Sequence, residues 1–167
     1  MTAGLADKKF LNALLLAPNV GYDAILKLKI YFTSYEEAWK ASEAGLVNAG
    51  LSPKTASFIK KSRERVSPDN EFARLLREGI ALIEQNDPDF PELLKEIPSP
   101  PLWLYIKGRI LAREDVVAIV GSRKATSYGV SAVERIVAGL APITEVAIAS
   151  GIAMGIGGTV FMDIWAI

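Results

Sequence analysis

The chain has 167 residues, half of them hydrophobic, with 19 Lys/Arg against 19 Asp/Glu, no cysteine and no histidine. That length accommodates one ordinary domain or two small ones. Without cysteine the chain holds no disulfide or thiolate metal site, and without histidine it holds no Ser-His-Asp triad, histidine zinc site or imidazole acid–base catalyst; an enzyme of this sequence would rely on carboxylates, lysine, tyrosine or hydroxyls.

The charge balance is uneven along the chain. Residues 1–67 carry ten Lys/Arg against six Asp/Glu, residues 68–115 six against ten, and residues 116–167 three of each. The basic excess of the first segment permits nucleic-acid contact without requiring it. The start, "MTAGLADKKFLNALLLAP", lacks the order of charges and apolar residues of a secretory signal. A cytoplasmic protein is expected.

The first segment reads as helix. "DKKFLNALLLA" has apolar residues at helical spacing and ends before Pro18; "PNVG" is a tight turn. "YDAILKLKIYF" offers Ile25, Leu26, Leu28 and Phe32 to a core. "TSYEEAWKAS" opens with Thr33 or Ser34 as cap and acids in the first turn, as the helix dipole favours. Gly45 and Gly50 punctuate the next helices, and "LSPKTASFIKKSRERV" begins with Ser52 as cap and a proline at the first helical position. "APNVGYDAILKL" and "NAGLSPKTASFI" look alike and resemble the helix-hairpin-helix pattern, in which a helix N-terminus aims N–H groups at a phosphate. A helical bundle for packing or partner contact is the alternative left open at this point.

Near Ser67-Pro68 the pattern changes. "SPDNEFARLLREG" is a helix with a serine cap and Gly79 as its stop. "IALIEQ" reads as a strand, the proline-rich "NDPDFPELLKEIPSPP" as a loop with one short helix, and "LWLYIKG" as a second strand. "VVAIVG" is a fully apolar strand of the type buried in a parallel sheet, "TSYGVSAVERIVAGLA" a helix ended by Pro142, and "EVAIAS" another buried strand running into "GIAMGIGGT". Strand, helix and strand with a glycine turn after each strand is the α/β doubly wound pattern, in which ligands sit beyond the carboxyl ends of the strands. The fold class expected is α/β: a helical domain over residues 1–66, followed by an incomplete Rossmann-like parallel-sheet domain over residues 67–167.

The first glycine loop, "GSRKATSYG", has the chemistry of a phosphate cradle. Gly121 allows a turn, and Ser122, Thr126 and Ser127 supply hydroxyls. Arg123 grips phosphate through its planar fork and Lys124 adds a point charge. Tyr128 can stack or pack, and Gly129 permits close approach at the helix N-terminus. No residue of the loop accepts a proton at neutral pH, so it binds rather than catalyses. It is neither G-x-G-x-x-G nor a Walker A loop, and no cofactor or metal is expected.

"AIVGSRKATSYG" followed by "ASGIAMGI" resembles the DNA-processing protein A (DprA/Smf) family, and "ALIEQNDPDFPELLKEIPSPPLWLYIKG" resembles the segment leading into that family's Rossmann-like domain. The likeness runs from about residue 10 to about residue 156. It implies single-stranded DNA as ligand, natural transformation and homologous recombination as context, a RecA-type recombinase as partner, and no catalysis. Carried over, the DNA-binding residues are Gly121, Ser122, Arg123, Lys124, Thr126, Ser127, Tyr128 and Gly129, with Ser150, Gly151, Ala153, Gly155 and Ile156 in the second loop.

The family pattern continues with an aspartate where Gly157 stands, and "GTVFMDIWAI" departs from it. The expectation is therefore a shortened member with a divergent tail, lacking the later strands and the family's dimer surface, and leaving an apolar edge on "EVAIAS". Residues 146–162 carry no charge. A membrane span needs about 20 apolar residues, and a strand with a glycine loop fits this shorter, glycine-rich run better. Two other readings stand beside the first. One is a nucleotide phosphoribohydrolase, from the faint likeness of "ASGIAMGIGGT" to its glycine turn; the other is a helical interaction module with an inert α/β remnant.

Overall fold

The computed structural model describes residues 4–109, 116–140, 142–143 and 147–151. The chain divides into two compact units, Met1–Ile110 and Leu111–Ile167. The domain boundary expected near residue 66 falls inside the first.

In the first unit α1 (Leu5–Leu15) is the central helix, because Leu11 and Leu14 share a face and are fully buried. It packs against α3 (Tyr35–Lys40) and α6 (Pro68–Arg77). Ala17, whose carbonyl accepts from Val20 N–H, starts the turn that Asn19 completes at φ 62°, a left-handed conformation that asparagine tolerates. Helix α2 (Tyr22–Tyr31) follows and buries Ile25 and Leu28, while Leu26 and Phe32 are partly buried against the same core. Ser34, Ser52 and Ser67 cap α3, α5 (Pro53–Ser62) and α6 through the N–H groups of Glu37, Thr55 and Asn70. Ser42 does the same for α4 (Glu43–Asn48) through Gly45 N–H. At α3 the Glu37 carboxylate also reaches back to the N–H and hydroxyl of Thr33. Those two bonds hold its pKa below the usual carboxylate range.

Helix α4 ends in a Schellman turn. Gly50 N–H bonds Val47 O, Leu51 N–H bonds Leu46 O, and both leucines are buried. Gly50 holds φ 92°, and Lys27 Nζ donates to its carbonyl at 3.0 Å.

Strands β1 (Ile80–Glu84) and β2 (Trp103–Lys107) pair antiparallel, from Ile80 opposite Lys107 to Glu84 opposite Trp103; α7 (Glu92–Lys95) lies between them in sequence. Alternate strand residues share a face. Leu82 and Glu84 therefore point the same way, and Leu82 joins the helical core. Glu84 follows it inward, where Oε2 accepts the Tyr35 hydroxyl at 2.9 Å and lies 3.5 Å from Lys29 Nζ. Across the pair, Trp103 is partly buried against the core and the Tyr105 hydroxyl donates to Asn12 Oδ1 at 2.8 Å. Lys8 and Asp87, both largely buried, form an ion pair at 2.5 Å, and Asp87 also accepts Glu84 N–H.

The second unit contains β3 (Val116–Ala118), α8 (Ser127–Leu140) and β4 (Ala147–Ala149). The strands pair parallel, with Val116, Val117 and Ala118 opposite Ala147, Ile148 and Ala149. Val133 and Val137 of α8 pack with Ile119 and Ile148. Fully buried strands were expected here, and Val116, Val117 and Ala118 are exposed. The reason is that α8 supplies one covering layer among the described residues, and the burial is concentrated at Ile119 beneath it. The mixed helical and parallel-sheet character expected from the sequence is present, joined to a largely helical first unit.

Candidate functional site

Because β3 and β4 run parallel in register, their carboxyl ends emerge at one edge. The ladder continues one step past the strands, with Ile119 N–H donating to Ala149 O at 2.9 Å. Ser150 then donates its hydroxyl to the Ile119 carbonyl at 2.8 Å and ties the start of the second loop to the start of the first. Gly121, Ser122, Arg123 and Lys124 follow on the first side and Gly151 on the second, all exposed. The convergence expected from the sequence is thus formed by hydrogen bonds. Ala153, Gly155 and Ile156 lie outside the described residues.

The loop between β3 and α8 is shaped by its own hydroxyls. Ser122 Oγ accepts Lys124 N–H at 3.1 Å, and Thr126 Oγ1 accepts Gly129 N–H at 3.1 Å. Thr126 is therefore the cap of α8, and its carbonyl takes Val130 N–H. The cap engages the third helical N–H, that of Gly129. The first two, of Ser127 and Tyr128, sit at the positive end of the helix dipole without an intrahelical acceptor.

In both bonds the side-chain oxygen is the acceptor, so the O–H protons of Ser122 and Thr126 remain available to an anion. Ser150 differs, since its one proton is already donated. This assigns Ser150 a bracing role that residue type alone did not distinguish from ligand contact. Arg123 and Lys124 form no ion pair among the described residues. Tyr128 is 78% exposed, so its ring is presented to solvent rather than to the core. The edge therefore gathers two cations, two helical N–H groups, two hydroxyl protons and one aromatic face. That set suits a phosphate-bearing ligand with a stackable group.

The first unit has a cavity of about 330 Å³ lined by Asp7, Lys29, Phe32, Thr33, Ser34, Tyr35 and Glu84. Its charged groups are engaged in holding the fold. Both Asp7 oxygens accept backbone N–H groups of Tyr35 and Glu36, and Glu84 takes the Tyr35 hydroxyl. Burial, followed by the Glu84 carboxylate, raises the Tyr35 pKa far above the ordinary phenol value. Among the described residues no cluster of acidic side chains is arranged to hold a metal ion, and no helix is long and apolar enough to cross a membrane.

Comparison with known proteins adds to this geometry. A sequence model of the family described as DNA recombination-mediator protein A matches residues 81–163. The match runs past Ile156 and Gly157, into the segment expected to diverge. The protein Smf of Synechocystis sp. is 34% identical over 143 residues, covering 82% of this chain and 36% of that protein. The DNA processing protein DprA of Streptococcus pneumoniae is 39% identical over 71 residues, covering 42% of this chain and 24% of that one. The X-ray structure of DNA processing protein A (DprA) from Streptococcus pneumoniae shares the fold, with a TM-score of 0.59 at 23% identity over 95% of this chain and 54% of that one. The chain spans about a third of the length of the first of these curated relatives and about a quarter of the second.

Proposed function

The chain belongs to the DNA recombination-mediator protein A (DprA/Smf) family, and from that membership we propose that it acts in DNA processing as a non-catalytic, cytoplasmic binder of single-stranded DNA. The binding edge in this reading is the one beyond β3 and β4. Arg123 and Lys124 contact backbone phosphates, and the N–H groups of Ser127 and Tyr128 with the hydroxyls of Ser122 and Thr126 complete the cradle. Tyr128 stacks on a base. Gly121, Gly129 and Gly151 let the strand approach the backbone, and Gly155 belongs to the same site by family resemblance. The observation that carries the reading is the bond from Ser150 to Ile119, which holds the two loop starts together beside an exposed cation pair. Such a site grips phosphates without reading sequence and weakens with salt. Delivery of the strand to a RecA-type recombinase is part of the same proposal, since a strand held by its backbone keeps its bases available for pairing.

The test is a salt titration of binding to a labelled single-stranded oligonucleotide, run beside the Arg123→Ala/Lys124→Ala variant. Binding that falls with salt and is lost in the variant supports the reading. A folded wild-type protein that binds no single strand at low salt overturns it.

A further inference from the structure

The cations of the helical segment fall into two groups. Lys8, Lys9, Lys29, Lys40 and Lys60 each hold a carboxylate, while Lys27 and Arg63 donate to the carbonyls of Gly50 and Ala41. Lys54, Lys61 and Arg65 are exposed and have no acceptor among the described residues. These three are not scattered. Helix α5 turns its Thr55, Ala56 and Ile59 inward. At about 100° per residue, Lys54 and Lys61 fall within roughly 20° of one another on the outward side, and Arg65 follows in the turn just past the helix. Beyond Ser62 the chain tightens into a turn, in which Glu64 N–H bonds Lys61 O and Arg65 N–H bonds Ser62 O, and this turn carries Arg65.

Phe58 borders the same stripe. Its ring is half-buried, and Lys54 Nζ stands 5.8 Å from its centroid. Two acids flank the cations on one side: Glu43 is bound by Lys60 and also lies near enough to Lys61 to feel its charge, and exposed Glu64 stands one turn beyond Lys61. A row of unpaired cations complements a polyanion. With about 1.5 Å of rise per residue the row covers about 16 Å, the length of a short run of nucleotides. The adjoining aromatic ring selects among polyanions. It can stack on a base only where the base is unpaired and turned outward, as in a single strand.

We propose that the outward face of α5, together with the turn that follows it, is a second binding surface for single-stranded DNA, with Lys54, Lys61 and Arg65 on backbone phosphates and Phe58 as the stacking side chain. The proposal rests on the reading that the protein handles single-stranded DNA, but it uses different residues in a different unit from the β3–β4 edge. It assigns α5 a strand-guiding role in addition to its packing role in the helical core.

The experiment uses the full chain and a labelled oligothymidylate, comparing wild type, Lys54→Ala/Lys61→Ala/Arg65→Ala, Phe58→Ala and Arg123→Ala/Lys124→Ala across a salt series. The triple variant alters only exposed side chains; an unchanged urea midpoint establishes that it is folded. Its slope of log Kobs against log salt should fall by about 2, at about 0.7 per lost phosphate contact on a single strand. Phe58→Ala should lose about tenfold in affinity with the slope unchanged. A triple variant with wild-type affinity and slope overturns the proposal. So does an equal loss on duplex and single strand, which would make the stripe a general polyanion surface. If Arg123→Ala/Lys124→Ala matches wild type while the triple variant is impaired, the β3–β4 reading fails and this one stands. The reverse pattern removes α5 and leaves the edge. A wild-type chain that binds no oligothymidylate removes both.

Discussion

The Ser150 hydroxyl and the Ile119 carbonyl meet at 2.8 Å across 31 residues of sequence. The bond fastens the ends of two parallel strands at the point where both change into loop. An intramolecular hydrogen bond contributes about 1 kcal/mol net, so Ser150→Ala should open this end of the ladder roughly fivefold more often. The Ile119 amide, bonded to Ala149 O, reports that opening directly. Hydrogen exchange at Ile119 should quicken by about that factor, while the salt dependence of DNA binding keeps its wild-type slope because no phosphate contact has been removed. Unchanged exchange at Ile119 would show that the bond does not brace the edge.

Arg123 should behave in the opposite way. Its guanidinium is exposed and has no carboxylate partner among the described residues, so Arg123→Ala should leave stability within about 0.5 kcal/mol of wild type. Binding to single-stranded DNA should weaken with a slope reduced by about 0.7. The loss should be the same on oligothymidylate and oligocytidylate, because a phosphate contact carries no sequence information. Undiminished affinity at low salt would place Arg123 outside the interface.

Helix starts were the most legible features of the sequence, because a serine cap acts on its own next turn: Ser34, Ser52 and Ser67 all bond the N–H three residues on. The convergence of the two glycine loops was legible for a similar reason, since a parallel strand–helix–strand unit has one carboxyl edge. What depended on distant partners was hidden. Nothing local distinguishes Ser150 as a brace from Ser122 and Thr126, whose protons stay free. Glu84 reads as an ordinary strand-end acid, yet it is buried by Tyr35 and Lys29, respectively 49 and 55 residues away. Its place on the same strand face as Leu82 was the available signal. Likewise, the spacing of Lys54, Lys61 and Arg65 was visible in the sequence, but their lack of acceptors depended on where every other side chain went.

Two glycines of the helical unit should respond oppositely to alanine. Gly50 sits at φ 92°, and its carbonyl is held by Lys27. An added Cβ would find Lys27 Cδ at 3.5 Å, so space is adequate and the backbone is the obstacle. Gly50→Ala should therefore cost about 1 kcal/mol or more through the left-handed conformation. Gly45 lies within α4, where a Cβ would meet Ser42 Oγ at 3.4 Å and Ala41 Cβ at 3.6 Å, both ordinary contacts. Gly45→Ala should stabilise by about 0.5–1 kcal/mol through helix propensity. Urea titration of both variants checks the pair; a Gly50→Ala protein as stable as wild type would contradict the Schellman assignment.

The Tyr105 ring is 44% exposed, but its hydroxyl is turned inward to Asn12, which is 3% exposed. Burial of that end pushes the phenol pKa from 10.0 up to about 12. A phenol is neutral below its pKa, so the raised value means that the folded state keeps its proton where the unfolded chain has lost it. The contribution to stability is therefore fully present below pH 10.0, declines as the unfolded chain ionises, and is gone once pH passes about 12. Tyr35, buried against Glu84, is raised further and loses its contribution in the same alkaline direction. Urea midpoints should consequently fall as pH rises from 10.0 towards 12. Tyr105→Phe should start from a lower midpoint at neutral pH, because Asn12 loses its donor, and should fall less steeply across that window. Parallel decline in wild type and variant would show that the Tyr105 hydroxyl does not couple ionisation to folding.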